Sequence, residues 1–122
     1  MRILILGASG MLGHKVFQVL RDGHEVHAAA RSEWATVAPL GLFDFGRFHG
    51  RLEAGSTDCL LHIMGRACPH VVANCVGIIK QVPAATDPLA SITVNALFPH
   101  RVAEMCKVIG ARLIGGSHNI VN

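Results

Sequence analysis

The chain has 122 residues, of which 51% are apolar and 16% charged, with a formal net charge of +3 at pH 7. This length suits one domain, and the apolar fraction excludes an intrinsically disordered protein. No run of Lys or Arg indicates nucleic-acid binding, and no apolar stretch approaches the roughly 18 residues that span a bilayer.

The cysteines and histidines do not form a recognisable metal site. The four cysteines make no C-x-x-C pair, and the eight histidines are scattered along the chain. We therefore expect no metal and reduced thiols, which is typical of a cytoplasmic protein.

The start of the chain alternates between strand and helix patterns. Arg2–Leu6 is an apolar run that stops at Gly7, which favours a strand buried on both faces. Apolar residues recur at helical spacing from Met11 to Leu20, and Glu25–Ala30 predicts a second strand. A strand, a helix and a strand in close succession form a βαβ unit.

The middle of the chain has weaker patterns. Trp34–Leu42 predicts a short helix ending near Gly41, and Arg51–Ser56 predicts the third strand. Leu60–Arg66 predicts another helix, which Pro69 stops.

The last third returns to clear periodicity. His70–Val76 predicts the fourth strand, and a long helix begins at Asp87 or Pro88 and ends near Ile109. Pro99 should kink or divide this helix, and Ala111–Gly115 predicts a fifth strand. Strands alternating with helices predict a parallel, doubly wound α/β sheet of about five strands.

A glycine-rich segment joins the first strand to the first helix. Gly7 to Gly13 is G-x-x-G-x-x-G. The first glycine permits a tight turn, the second lets backbone approach a pyrophosphate, and the third lets helix and strand pack closely. Amides at the helix N terminus then bind the anion. In this context the pattern predicts a dinucleotide site, with a ligand-free glycine turn as the alternative.

The residues after the second strand select the dinucleotide. An acidic residue there would bind the ribose 2′-hydroxyl of NAD, whereas Arg31 and Ser32 suit the 2′-phosphate of NADP. NADP is therefore the predicted cofactor. NAD remains the alternative because Glu33 follows closely.

These residues, with Asn74-Cys75-Val76-Gly77, resemble the extended short-chain dehydrogenase/reductases, and most of all the dTDP-4-dehydrorhamnose reductase branch of sugar-nucleotide reductases. The similar segments are M-R-I-L-I-L-G-A-S-G-M-L-G-H, V-A-N-C-V-G-I-I-K-Q, V-N-A-L-F-P-H-R-V-A and G-A-R-L-I. They occur in the family's order. The resemblance implies an NAD(P)-binding Rossmann domain over residues 1–122, incomplete relative to the family, and an oxidoreductase.

The resemblance also implies roles for individual residues. Asp58 matches the family's adenine-contacting acid, with Asp44 as the alternative. Asn95 matches an asparagine that braces the central strands, or is an ordinary polar residue of a helix face. Arg31 and Ser32 would hold the 2′-phosphate. The remaining cofactor contacts would come from the glycine loop and the end of the fourth strand: Gly7, Ser9, Gly10, Met11, Leu12, Gly13, Asn74, Cys75, Val76 and Gly77.

The chain departs from the family at the catalytic residues. The family's fifth strand ends in Ser-Thr-Asp, and the corresponding triplet here is Ser117-His118-Asn119. His118 stands at the position of the Thr that polarises the substrate carbonyl, and Ser117 would substitute only through a one-residue shift. The family's Tyr-x-x-x-Lys pair has no counterpart before Asn122, and the chain contains no tyrosine. We therefore expect a chain truncated after the fifth strand and inactive alone.

Three hypotheses follow. The chain is the NADP(H)-binding part of a sugar-nucleotide reductase, a non-catalytic NADP(H) sensor, or an inactive α/β fragment. A nicotinamide dinucleotide is the expected partner in the first two, and a nucleotide sugar only in a full-length form. An open edge at the fifth strand predicts a homo-oligomer.

Overall fold

The computed structural model describes residues 1–76 and 88–115, with side chains in 1–76 and 97–115. Two single-turn 3₁₀ helices lie at Ala38–Leu40 and Phe45–Arg47. The main elements are β1 (Arg2–Leu6), α1 (Met11–Leu20), β2 (Glu25–Ala29), α2 (Trp34–Val37), β3 (Phe48–His49), α3 (Thr57–Ala67), β4 (Val71–Asn74), α4 (Pro88–Ile109) and β5 (Arg112–Gly115).

The strands form one parallel sheet in the order β3-β2-β1-β4-β5. The chain begins at the centre of the sheet, builds outward to β3 and then crosses to β4 on the other side of β1. The direction of building therefore reverses between β1 and β4. In doubly wound sheets the carboxyl ends of the strands at this point form the ligand crevice. The predicted doubly wound α/β fold is confirmed.

Two hydrophobic layers pack on opposite faces of the sheet. Leu4 and Leu6 of β1 contact the layer that includes α3 and α4, and Ile3 and Ile5 contact the layer that includes Phe17 of α1. Because consecutive side chains point to opposite faces, a strand buried on both sides must be apolar throughout. This explains the unbroken apolar run of β1.

The third strand lies elsewhere than the sequence predicts. It covers only Phe48–His49, so the prediction of Arg51–Ser56 was wrong. Arg51 has a φ of 59°, in the left-handed region, which ends the extended conformation. The amide of Leu52 still donates to the carbonyl of Ala30 at 2.9 Å, so the segment continues beside β2 without forming a strand.

Several helix boundaries also differ from the prediction. Helix α3 begins before Leu60, because the Ser56 hydroxyl caps it by accepting from the amide of Cys59 at 3.1 Å. The predicted 34–42 helix is one α-helical turn followed by a 3₁₀ turn that ends at Gly41. Helix α4 runs through Pro99 without being divided. Within the described residues, no helix is both long and apolar enough to cross a membrane.

Candidate functional site

The glycine loop is held between the ends of β2 and β4. Gly7 has a φ of +82°, and a Cβ atom there would lie 2.9 Å from the amide nitrogen of Val76. The amides of Gly7 and Ala8 both donate to the carbonyl of Ala29, at 2.8 and 3.0 Å. Only glycine can adopt this backbone without strain and admit the β4 end so closely.

The other two glycines of the motif differ in what they contact. A Cβ at Gly13 would lie 2.1 Å from the carbonyl oxygen of Gly7, so this glycine permits α1 to pack directly on the loop. A Cβ at Gly10 would meet only the Gly7 oxygen, at an ordinary 3.5 Å. The protein itself therefore requires glycine at 7 and 13, whereas Gly10 leaves open space above the loop.

The N terminus of α1 has no side-chain cap. Gly10 is the N-cap residue, and no acidic residue lies in the first turn. Helix α3, by contrast, has the Ser56 cap and Asp58 in its first turn. Uncapped amides and the positive end of the helix dipole suit an anion at the start of α1.

The end of β4 forms the opposite wall of the crevice. Asn74 is buried, and its Oδ1 accepts from the amide of Val76 at 3.1 Å. The amide of Cys75 donates to the carbonyl of Leu6 at 2.8 Å. Burial raises the pKa of the Cys75 thiol, so the thiol is protonated at neutral pH and presents an uncharged surface.

The residues after β2 lie beside those after β3. The Arg51 amide donates to the carbonyl of Ser32 at 3.3 Å, and the Arg51 guanidinium pairs with the Glu33 carboxylate at 2.9 Å. Arg31 is exposed to solvent. Sequence analysis did not identify Arg51, because a contact between residues 18 positions apart leaves no local pattern.

Some of the predicted residues are not brought to the crevice by any described contact. Asp58 is exposed in the first turn of α3, and Asp44 is exposed before the second 3₁₀ helix. Asn95 lies in α4, but its side chain is outside the described part of the structure. Gly77, Ser117 and His118 also lie outside the described residues.

An apolar groove of about 390 Å³ runs along α1. It extends from Leu12 and Cys75 near the crevice to Leu20 and to Val71 at the amino end of β4. Ile114 of β5 also lines it. Its apolar lining suits the packing of apolar groups better than the binding of a phosphate. Among the side chains of residues 1–76 and 97–115, no three His, Cys, Asp or Glu converge to hold a metal ion.

Comparison with known proteins identifies the family. The model of the RmlD substrate binding domain matches residues 1–121. The chain belongs to this family. It is 30% identical over 121 residues to the dTDP-4-dehydrorhamnose reductase of Mycobacterium tuberculosis strain H37Rv, covering 98% of this chain and 33% of that protein. The chain thus spans about a third of the length of the reductase it matches. The resemblance to the dTDP-4-dehydrorhamnose reductase branch is confirmed.

Solved structures share the fold. A hypothetical dTDP-4-dehydrorhamnose reductase from Sulfolobus tokodaii matches with a TM-score of 0.72 and 22% identity, covering 94% of this chain and 38% of the other. Bordetella bronchiseptica WbmG, in complex with NAD and UDP, gives 0.72 and 23%, with coverage of 94% and 37%. The Bacillus anthracis dTDP-4-dehydrorhamnose reductase, in complex with NADP, gives 0.65 and 19%, with coverage of 92% and 34%. These likenesses support the Rossmann-type fold.

Proposed function

We propose that this chain binds NADP(H) as the cofactor-binding part of a sugar-nucleotide reductase and does not complete hydride transfer alone. The observation that carries the proposal is the glycine loop. It lies at the reversal point of the sheet and leads into a helix whose N terminus has no side-chain cap. This is the arrangement that binds a dinucleotide pyrophosphate in doubly wound sheets.

The residues present fit such a cofactor. The open space above Gly10 admits a pyrophosphate, and the first amides of α1 would donate to its oxygens. The buried Asn74 and Cys75 would form an uncharged wall of the crevice. NADP-bound and NAD-bound structures both occur among the proteins that share this fold, so the choice between the two rests on this chain's own residues.

The region after β2 favours NADP(H). Arg31 is exposed next to the crevice, and Ser32 follows it. A guanidinium forms paired, charge-assisted hydrogen bonds with a phosphate, whereas the 2′-hydroxyl of NAD would instead require an acceptor such as a free carboxylate. The only carboxylate in this short segment, Glu33, is already paired with Arg51.

When bound, the nicotinamide ring would supply or accept a hydride. The chain's own groups would bind and orient the dinucleotide. Reduction of a carbonyl also requires a proton donor, and the family's tyrosine has no equivalent because the chain contains no tyrosine. A non-catalytic NADP(H) sensor is the second candidate function, because it would use the same glycine loop and requires no proton donor.

A titration with Gly10→Ala tests cofactor binding at the loop. The variant should fold normally, because the new Cβ meets only one atom at 3.5 Å. It should weaken NADPH binding at least about tenfold, or about 1.4 kcal/mol, since the methyl group occupies the space for the pyrophosphate. Energy transfer from Trp34, the single tryptophan, to the reduced nicotinamide provides the signal.

Gly23→Ala is the matched control, because a Cβ there meets nothing within 4 Å and lies far from the loop in sequence. It should bind NADPH as the wild-type chain does. If the folded wild-type chain binds neither NADPH nor NADH, the proposed function is wrong. If it reduces a dTDP-4-keto sugar with NADPH on its own, both the proposed lack of independent catalysis and the sensor role are wrong.

A further inference from the structure

Arg51 and Glu33 form an ion pair at the carboxyl ends of β2 and β3. Arg51 Nη2 lies 2.9 Å from Glu33 Oε2, and both side chains are largely exposed, at 75% and 57%. An exposed pair of this kind adds little to stability. Its position is relevant to cofactor binding, because Glu33 comes only two residues after Arg31, the proposed ligand of the 2′-phosphate.

The backbone of Arg51 is held against the segment that carries Glu33. Arg51 adopts a φ of 59°, its amide donates to the Ser32 carbonyl at 3.3 Å, and its carbonyl accepts from the Cys59 thiol at 3.5 Å. A Cβ at the preceding Gly50 would lie 2.9 Å from the Ser32 oxygen. The two segments are therefore in direct contact. These backbone contacts place the Cα atom of Arg51 next to the segment that carries Glu33.

The ion pair changes the electrostatics of the region after β2. A free carboxylate at Glu33 would repel a 2′-phosphate and could accept a hydrogen bond from a ribose 2′-hydroxyl. With Arg51 in contact, the charge of the carboxylate is offset and one of its two oxygens, Oε2, is occupied. Arg31, Glu33 and Arg51 together then carry a net positive charge.

We propose that Arg51 determines cofactor specificity, because it masks Glu33 and so makes the site select NADP(H) over NAD(H). This inference rests on the proposed function, since it requires that the chain bind a nicotinamide dinucleotide. Arg51 lies outside the glycine loop and outside the Arg31-Ser32 pair. Glu33 would favour NAD(H) if Arg51 did not pair with it.

The test is a double-mutant cycle in which the Kd for NADH is divided by the Kd for NADPH, so that a high ratio means a preference for NADPH. Arg51→Asn removes the charge while keeping a residue that tolerates positive φ. It should lower the ratio at least about tenfold, which is the scale of one charge-assisted hydrogen bond. Glu33→Gln alone should change the ratio less than about threefold, because Glu33 is already masked. The double variant should regain most of the wild-type preference for NADPH.

Arg112→Asn is the matched control for loss of one positive charge, since Arg112 begins β5, away from the carboxyl ends of β2 and β3. It should leave the ratio unchanged. Circular dichroism and thermal unfolding establish that each variant is folded. Glu33→Gln with Arg51→Gly provides a second cycle if Arg51→Asn does not fold, because glycine removes the charge and adopts a positive φ.

The remaining outcomes distinguish failure of the inference about Arg51 from failure of the proposed function. If the wild-type chain prefers NADPH but Arg51→Asn keeps the same ratio, the inference is wrong and the proposed function stands. If Arg51→Asn and the double variant have equal ratios, an unpaired Glu33 does not favour NAD(H) and the inference is again wrong. If the wild-type chain binds neither nucleotide, the proposed function fails.

Discussion

At the scale of single residues, a chain of polar groups runs from the partly exposed Glu25 to the buried His27 and His49. His27 Nε2 lies 2.8 Å from a Glu25 carboxylate oxygen, and His27 Nδ1 lies 3.2 Å from His49 Nε2. With the carboxylate as final acceptor, His27 donates to Glu25 and His49 donates to His27. The remaining nitrogen of His49 is then an unprotonated Nδ1, which is buried without a partner in the described part of the chain.

This arrangement predicts acid sensitivity. Burial, followed by the charges of His27, Arg66 and His62, lowers the pKa of His49 from 6.5 to about 4. Because the unfolded chain binds the proton more readily, stability should be unaffected above pH 6.5 and should fall as the pH drops toward 4. The loss attributable to His49 is at most on the order of 3 kcal/mol.

Urea unfolding between pH 7.5 and 4 measures this effect. His49→Gln should flatten the pH dependence, whereas His24→Gln, at an exposed position, should not. The lowered pKa of Glu25, caused mainly by its hydrogen bond from His27, acts only below about pH 4.5, so the two effects occupy different pH ranges. Equal pH slopes for His49→Gln and the wild-type chain would refute the assignment.

At the scale of secondary structure, the contact between α1 and the glycine loop sets how the first βαβ unit packs. A methyl group at Gly13 would overlap the carbonyl of Gly7 and approach Ala8 Cα at 2.8 Å. Both neighbours are backbone atoms, which cannot move aside as a flexible side chain can. Gly13 is therefore required for α1 to pack on the loop, in addition to any role of the loop in binding a ligand.

Gly13→Ala should destabilise the chain by about 1–3 kcal/mol or prevent folding, the usual range for overpacking. Gly65→Ala is the control, since Gly65 lies inside α3 with open space around it. It should stabilise the chain by roughly 0.5–1 kcal/mol, because alanine favours helix more than glycine. Urea denaturation compares the two, and a neutral Gly13→Ala would contradict the packing argument.

Element boundaries could be predicted where periodicity was strong. The bounds of β1 and α1 match because the apolar run and the helical stripe each end at a glycine or a polar residue. The start of α3 could not be found from its apolar positions, because its first turn is defined by the Ser56 cap. The third strand was misplaced because two residues carry no periodicity, and the turn at Arg51 depends on contacts with Ser32 and Cys59.

At the scale of the whole molecule, β5 has no described strand on its outer side. Ile114 of β5 is exposed and lines the apolar groove along α1. The exposed apolar side chain of Ile114 favours association with another chain. Assembly into a homo-oligomer remains a prediction.

Ile114→Lys should shift the chain toward monomer, because a charge at an edge strand opposes pairing and opposes burial of the groove. Light scattering at micromolar concentration measures the mass. Leu61→Lys, at an exposed position of α3, is the control and should leave the mass unchanged. A monodisperse monomer for the wild-type chain would refute the prediction.

The sequence by itself determined the fold class, the glycine loop and the resemblance to a reductase family, because each depends on residues that are close together along the chain. The tertiary structure alone decided which glycines are sterically required, where the third strand lies, and that Glu33 is paired with Arg51. It also revealed the chain of polar groups from Glu25 to His49. The third strand, the ion pair and the contact between His27 and His49 join segments that are distant in sequence, and the parallel packing of neighbouring strands brings them within a few ångströms.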